Sequence, residues 1–377
     1  MHTNRDEQEG FVLLRGSIDI RAVLFALLCI APFLCGATAG AEESQWLLPR
    51  GPADPRIWGF RDGIVLAVWP AALGSRGGSG GPRGLVRVGY SRNGVAQLVN
   101  FIAIEPVDRE GRRGFSELEP SPRDGQQGLF FGVVPTTGTP GAWRTRLTSS
   151  SLTVVFRTDR FANGAMIAVA ARFHAAHPDE VEFTVGATSE SVALRSCILT
   201  ATMGNYIRAR ELWLADGKIK AADLFPDYRG DGFAPDRFFG LDRLARDREG
   251  NIVVPVTSDE PDPAATRPQA QPWWWYRGEP VTQYWKKPKG TWRDDLRVRV
   301  NGRYCYWQSR DPLPGGVAFE NFELNERYRP GQVFIFGITR RSPQELLASS
   351  PLSLSASCAF AIHVGSHNVQ NKPNYRM

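Results

Sequence analysis

Short runs of β-favouring residues, separated by Gly, Pro, Asn and Asp, repeat along most of this 377-residue chain. Val181-Glu-Phe-Thr-Val185 alternates apolar and polar residues, as a half-buried antiparallel strand should. About 340 residues of such strands exceed one small sandwich and suit a large two-layer domain. The chain is therefore predicted to be all-β, a large antiparallel β-sandwich. The clearest predicted strands are residues 64–69, 85–90, 96–104, 129–134, 152–156, 166–173, 181–185, 197–201, 252–256 and 333–338.

One short helix is predicted near residues 343–349. Ser342 is a typical capping residue, Pro343 suits the first helical position, and Glu345 is placed to complete a capping box. Little else in the sequence has helical spacing, which argues against βαβ folds.

Two hairpins are predicted from dipeptides that favour type I′ turns, Asp216-Gly217 and Asn301-Gly302. Around Asn301-Gly302, strict alternation would divide the two strands into a core face and a solvent face. The predicted core residues are Leu296, Val298, Val300, Cys305 and Trp307. The predicted surface residues are Arg297, Arg299, Tyr304 and Tyr306.

The beginning of the chain predicts export. Residues 22–36 are apolar or small, Arg15 and Arg21 precede them, and Ala37-Thr38-Ala39 follows, as in a secretory signal peptide over residues 1–39. An uncleaved anchor is the alternative. The expected protein is secreted or periplasmic, with no membrane attachment after cleavage.

The remaining chain is divided into a β-sandwich domain over 40–350 and a C-terminal strand with a polar tail over 351–377. A sub-boundary is expected at the proline-rich loop 258–272. In an oxidising compartment one pair among Cys197, Cys305 and Cys358 could form a disulfide, and the sequence leaves the pairing open.

The strongest sign of a ligand is an aromatic and basic stretch. Six of the eleven tryptophans lie between residues 273 and 307, and residues 273–310 hold nine bases against three acids, a local charge of 9 − 3 = +6. Aromatic faces beside cations suit a ring that is apolar on one face and anionic at its edge. The predicted partner is an anionic polysaccharide, whereas export argues against nucleic acid. The predicted ligand-binding residues are Trp273, Trp275, Tyr284, Trp285, Lys286, Arg297, Arg299, Tyr304 and Tyr306. The alternative is that these aromatics form core and the charges form an ordinary solvated face.

Two further segments, Leu199-Thr-Ala-Thr-Met-Gly-Asn205 and Gly315-Gly-Val-Ala-Phe-Glu-Asn-Phe-Glu-Leu324, lie among the predicted strands. With them, residues 55–350 resemble the galactose-mutarotase-like supersandwich domains of carbohydrate-active proteins. The resemblance implies a supersandwich-like fold and a sugar ligand, and it transfers no catalytic residue.

Two kinds of chemistry remain open. A glycoside hydrolase needs two carboxylates about 5–10 Å apart, for which Glu320 and Glu323 are the candidates. Burial of Glu320 would raise its pKa and suit a general acid, but a bulge that places it on backbone amides is the alternative. A polysaccharide lyase needs a base such as Tyr304 beside a cation. No metal or cofactor is predicted, because His174 and His177 are three residues apart at a strand end and point to opposite faces.

These patterns predict a secreted carbohydrate-binding protein, with lyase or hydrolase activity on uronic or sulfated glycans. A noncatalytic cell-surface or matrix binding module is the alternative.

Overall fold

The protein is an all-β sandwich of two antiparallel sheets, as the strand pattern predicts. A computed structural model describes residues 45–49, 54, 56–68, 83–133, 144–202, 204, 207–259, 279–307 and 309–348. Sheet A has nine strands in the order β1-β2-β3-β4-β5-β11-β18-β17-β14. Sheet B has ten strands. Nine follow the order β13-β12-β15-β16-β19-β10-β9-β8-β6, and the tenth, β7, pairs with β8 outside this order.

The strands are β1 (Trp46–Leu47), β2 (Ile57–Phe60), β3 (Gly63–Val68), β4 (Leu85–Arg92), β5 (Val95–Asp108), β6 (Phe131–Val133), β7 (Arg144–Leu147), β8 (Ser151–Thr158), β9 (Ile167–His174), β10 (Glu180–Ala187), β11 (Leu194–Thr202), β12 (Ala209–Leu214), β13 (Gly217–Lys220), β14 (Arg237–Gly240), β15 (Ile252–Ser258), β16 (Thr282–Lys287), β17 (Arg297–Arg303), β18 (Ala318–Asn325) and β19 (Gln332–Thr339). Two short helices, α1 (Ala221–Leu224) and α2 (Pro343–Ala348), and one 3₁₀ turn (Leu241–Arg243) complete the described elements.

The main core lies between the two sheets, and alternation places its side chains there. In β10, Val181, Phe183 and Val185 are buried, whereas Glu180 and Glu182 lie on the outer face. The sheets are also joined by polar bonds across the core. The Trp285 indole donates a hydrogen bond of 2.9 Å to the Phe322 carbonyl, and the Asn100 amide donates one of 3.0 Å to the Gln283 side chain.

Helix α2 begins with the predicted capping box. The Glu345 backbone N–H donates to the Ser342 hydroxyl at 3.3 Å, and the Ser342 backbone N–H donates to the Glu345 carboxylate at 2.7 Å. The hydrogen bonds that Ser342 donates to the Glu345 carboxylate lower the pKa of that carboxyl. The capping prediction is confirmed.

The hairpin predicted at Asn301-Gly302 is wrong. Strand β17 runs without a turn through both residues to Arg303, with β18 on one side and β14 on the other. Asn301 is a strand residue whose side-chain oxygen accepts the Asn321 N–H at 3.1 Å. Gly302 is needed for close packing, since a Cβ there would lie 2.7 Å from the Val317 side chain. The neighbouring strands therefore override the local turn preference.

The hairpin between β12 and β13 exists, but its turn is shifted by one residue. Leu214 pairs with Gly217, so Ala215 and Asp216 form the two-residue loop instead of Asp216-Gly217. Cys197 and Cys305 are both free and buried, so these two do not bridge. Several predicted features lie outside the described residues. They are residues 1–39, residues 351–377, Trp273, Trp275, Cys358 and nearly all of segment 258–272. The strands that flank that segment, β15 and β16, pair with each other in sheet B.

Candidate functional site

The structure separates the residues that the sequence grouped into one ligand site. Arg297, Arg299 and Glu323 lie on the outer face of sheet A. Tyr284 and Lys286 lie on the outer face of sheet B, whereas the intervening Trp285 is fully buried in the main core. A surface role for Trp285 is therefore wrong, because strand alternation turns it inward.

Three other predicted residues are partly or wholly covered. Tyr306 is buried, so its predicted place on a solvent face is wrong. Tyr304 is half-buried with the Arg229 guanidinium 5.2 Å from its ring centre. Glu320 is buried and lies in a bulge, because Val300 pairs with Phe322 while Gly302 already pairs with Phe319.

Three of the bases in this stretch, Lys286, Lys287 and Arg299, are paired with acids from distant parts of the chain. Lys287 pairs with Glu326 at 2.6 Å, and Lys286 pairs with Glu180 at 3.1 Å. Arg299 is only 8% exposed, which overturns its predicted solvent exposure. Arg297, by contrast, is exposed as predicted and forms no ion pair with the described residues.

A strip of arginines and aromatic rings lies along the β14 edge of sheet A, and we call it the arginine–aromatic strip. It consists of Phe233, Asp236, Phe238, Arg297, Arg299, Arg303 and Trp307. The exposed members are Phe233, Asp236, Phe238 and Arg297, whereas Arg299 and Arg303 are buried, and Trp307, predicted to be core, is half-buried.

Each end of the strip has an exposed phenyl ring beneath a guanidinium. Phe238 is 46% exposed, and the Arg297 guanidinium lies 4.3 Å from its ring centre. At the other end Phe233 is 45% exposed, and the Arg303 guanidinium lies 5.2 Å from it and 5.0 Å from the Trp307 ring. Such contacts hold the arginines in place without neutralising their charge.

The sheet edge explains the shape of the strip. β14 is the last strand of sheet A, and the Ala234 N–H donates to the Gly302 carbonyl at 2.7 Å, which extends the pairing beyond β14. Arg297 and Arg303 are six residues apart on β17, so the two ends lie about 20 Å apart. This length suits several units of a linear chain.

From the strip a polar row leads inward across sheet A. The register places Phe238, Arg299, Glu323 and Thr200 side by side on four neighbouring strands. Arg299 Nη1 lies 2.9 Å from both Glu323 oxygens, and Arg299 Nε lies 2.8 Å from Asp236 Oδ2. Burial acts to lower the pKa of Arg299, but the two acids outweigh it and raise that pKa above its ordinary value.

A second carboxylate, Glu105, meets Glu323 through Arg113. Arg113 Nε donates to Glu105 Oε2 at 2.6 Å, and Arg113 Nη2 lies 3.4 Å from Glu323 Oε2. Nη2 also contacts Glu105. Because one nitrogen contacts both carboxylates, their nearest oxygens lie at most about 7 Å apart. That separation falls in the range used by glycosidases.

Burial is the largest influence on the pKa of Glu105 and of the nearby Glu117. It raises the pKa of Glu105 to about 8, with added repulsion from Glu117 and Glu323, although Arg113 opposes the rise. It also raises the pKa of the half-buried Glu117 to about 7. Glu105 therefore holds a proton at neutral pH beside an acid that is ion-paired to Arg299.

We expect Glu105 to make stability fall as pH rises. Its pKa is about 4.5 ordinarily and about 8 when folded, so its contribution is full below pH 4.5 and is lost between pH 4.5 and 8. Glu105→Gln cannot ionise, so raising the pH should lower its free energy of unfolding less than that of the wild type. The difference over this interval should be at least about 1 kcal/mol, or roughly 2–4 °C in Tm. Thermal unfolding at pH 5 and pH 8 measures the difference.

Glu110→Gln is the matched control, because Glu110 is an exposed acid in the segment that carries Arg113. It should follow the wild-type pH dependence. If Glu105→Gln did the same, Glu105 would be ionised throughout this range.

Sequence reasoning missed Glu105, Arg113, Phe233 and Phe238. Glu105 did leave a signal, since it is a lone acid inside the apolar run Asn100-Phe-Ile-Ala-Ile-Glu-Pro-Val107. The two phenylalanines left none, because their exposure depends on β14 being a sheet edge.

No protein-family model matches the chain, and the comparison with curated proteins found no match. Within the described residues, no cluster of three or more His, Cys, Asp or Glu side chains could hold a metal ion. None of the described helices is long and apolar enough to span a membrane.

Proposed function

We propose that this is a secreted carbohydrate-binding protein that binds an anionic glycan along the arginine–aromatic strip. The observation that carries the proposal is the repeated pairing of an exposed phenyl ring with a guanidinium, at two points about 20 Å apart on one sheet edge. Aromatic faces stack on the apolar faces of sugar rings, and guanidinium groups pair with carboxylates or sulfates. Secretion rests on the leader-like residues 1–39.

The nearby acids support a catalytic extension of the proposal. The raised pKa of Glu105, about 8, suits a general acid, and Glu323 lies within about 7 Å of it. In a hydrolase, Glu105 would protonate the leaving oxygen while Glu323 acts as base or nucleophile. A lyase would instead use Tyr304 to take the α-proton of a uronic acid, with an arginine to neutralise its carboxylate.

A noncatalytic binding module is supported by a different observation. The Glu323 side chain is 0% exposed, and both acids accept hydrogen bonds from arginines, as in a network that stabilises a sheet. On this alternative only the exposed strip contacts the ligand.

Replacing Phe238 and Arg297 together with Ala should weaken binding of uronic or sulfated polysaccharides about tenfold or more. The double variant loses one stacking surface and one unpaired cation, each worth roughly 1 kcal/mol. A glycan array followed by titration at low and high salt measures the loss. Wild-type affinity should itself fall with salt because charge contributes to it.

Arg172→Ala is the control variant. Arg172 is an exposed arginine of equal charge on β9 of sheet B, paired with Glu182 and on the other layer from the strip, so its loss should leave affinity within about twofold. Equal weakening by both variants would reduce the interaction to general charge attraction. No binding to any acidic glycan would overturn the proposal.

Turnover separates the enzyme from the module. New reducing ends without absorbance from an unsaturated product, lost in Glu323→Gln, support hydrolysis, whereas new reducing ends with that absorbance support elimination. Binding without either product supports the module.

A further inference from the structure

A second concave surface lies on the outer face of sheet B, on the other layer of the sandwich from the strip. It is a cleft of about 580 Å³, within the size range of small-molecule sites. Strands β10, β16 and β19 form its floor, and residues 247–251 and α2 contribute to its walls. We call it the sheet-B cleft.

Gly337, which has no side chain, shapes the floor of the cleft. The register aligns Tyr284, Gly337 and Glu180 on three adjacent strands. The Tyr284 ring lies across Gly337, where any Cβ would overlap it, and its hydroxyl donates to Glu180 Oε1 at 2.9 Å on the far side. Burial raises the pKa of the Tyr284 hydroxyl. The charge of Glu180 and the hydrogen bond to it raise this pKa further.

The polar groups of the cleft are held in fixed positions. Lys286 Nζ lies 3.1 Å from Glu180 Oε1 and 3.9 Å from Asp247 Oδ2. Asp247 in turn accepts from the Asn251 backbone N–H and side-chain amide, both at 2.8 Å. Donors and acceptors from separate parts of the chain therefore alternate around one space.

The charge of the lining restricts the ligand. Four carboxylates face Lys286, Arg341 and two histidines among the described lining residues, so the lining offers an anion more repulsion than attraction. Glu180 and Asp247 are paired with Lys286, and Glu182 is paired with Arg172 at 3.7 Å, so a cation would have to displace existing ion pairs. Hydroxyl groups both donate and accept, and they match such a surface without bringing charge into it.

We infer that the sheet-B cleft is a second binding site that takes a neutral, polyhydroxylated ligand of about sugar size. The site is separate from the strip, and its preference is opposite, because the strip is positively charged and the cleft is not. The inference does not depend on glycan binding at the strip.

Matched monosaccharides test the charge preference. With the full-length protein, saturation-transfer NMR and calorimetry with glucose, galactose, mannose and xylose should give at least one Kd of about 1–10 mM. Glucuronate, in which a carboxylate replaces the C6 hydroxymethyl group of glucose, should bind at least tenfold more weakly. Glucosamine, in which an ammonium replaces the C2 hydroxyl, should bind no more tightly than glucose.

Glu180→Gln tests the position of the site. It keeps the side-chain shape but changes the acceptor shared by Tyr284 and Lys286, and should weaken the neutral sugar fivefold or more. Glu190→Gln, the same change at an exposed acid outside both surfaces, should leave that affinity unchanged. Unchanged thermal unfolding of Glu180→Gln shows that the fold is intact, and Lys286→Met provides a second variant if it is not.

Three results would overturn the inference. They are no binding by any of the four neutral sugars at about 50 mM, tighter binding of glucosamine or glucuronate than of glucose, or equal affinity in both cleft variants and wild type. The acidic-glycan experiment uses polysaccharides and an Arg297 variant, whereas this one uses monosaccharides and cleft variants, so failure of one proposal is distinguishable from failure of the other.

Discussion

Glu326→Ala is expected to lower the free energy of unfolding by about 3–5 kcal/mol, because it leaves a buried cation without its partner. The Lys287 and Glu326 side chains are both 0% exposed and lie 2.6 Å apart. Lys287 Nζ also donates to the Val333 carbonyl at 2.7 Å and lies 4.0 Å from the Phe334 ring centre. Burial lowers the pKa of Lys287 to about 8 although Glu326 opposes the shift. Denaturant unfolding at pH 7 measures the loss.

The double variant Lys287→Met with Glu326→Leu tests whether the loss comes from leaving one buried charge without its partner. Replacing both charges by apolar groups removes the desolvation cost, so the double variant should be at least about 2 kcal/mol more stable than Glu326→Ala. Asp295→Ala, which breaks an exposed pair with Arg327, should cost no more than about 1 kcal/mol. A similar cost for Asp295→Ala and Glu326→Ala would contradict the burial argument.

Trp285→Ala is expected to cost about 3–5 kcal/mol, since it opens a large cavity between the two sheets. The indole is fully buried, with the Phe336 ring centre 4.8 Å away and the Phe334 ring centre 6.3 Å away. Its N–H donates to the Phe322 carbonyl of the opposite sheet. Trp285→Phe keeps most of the volume but leaves this carbonyl unpaired, and should cost about 1–3 kcal/mol. Denaturant titration gives both values.

Trp213→Ala provides the comparison. Trp213 is half-buried on β12, and its N–H donates to the Thr257 hydroxyl at 3.1 Å. Its loss should cost clearly less, because water can replace the partner of an accessible hydroxyl. If Trp285→Ala instead impaired glycan binding while stability stayed at the wild-type value, Trp285 would be a ligand residue, as its sequence neighbourhood first indicated.

Local patterns were enough for most of the fold. Alternation in Val181–Val185 predicted which side chains face the core, and Ser342 with Glu345 predicted the start of α2. These features depend on a few consecutive residues, and all-β architecture follows from many such runs without knowledge of their pairing. Arg297 was likewise correctly predicted to be exposed.

The candidate site could not be predicted in the same way, because its members are distant in sequence. Glu105, Arg113, Arg299 and Glu323 meet only because β5, β11, β18 and β17 are neighbours in sheet A. The dipeptide Asn301-Gly302 favours a turn locally, but pairing with β18 on one side and the Ala234 N–H on the other hold it extended.

The sequence by itself determined the strand content, the inward and outward alternation and the capped helix, since each reflects the conformational preferences of adjacent residues. Only the tertiary structure decided which charges are neutralised, which aromatics remain exposed and which carboxylates meet. Those outcomes depend on strand order and register. Glu323 is 210 positions from Arg113 in the chain, so an acid far away in the sequence can be the partner of a basic side chain.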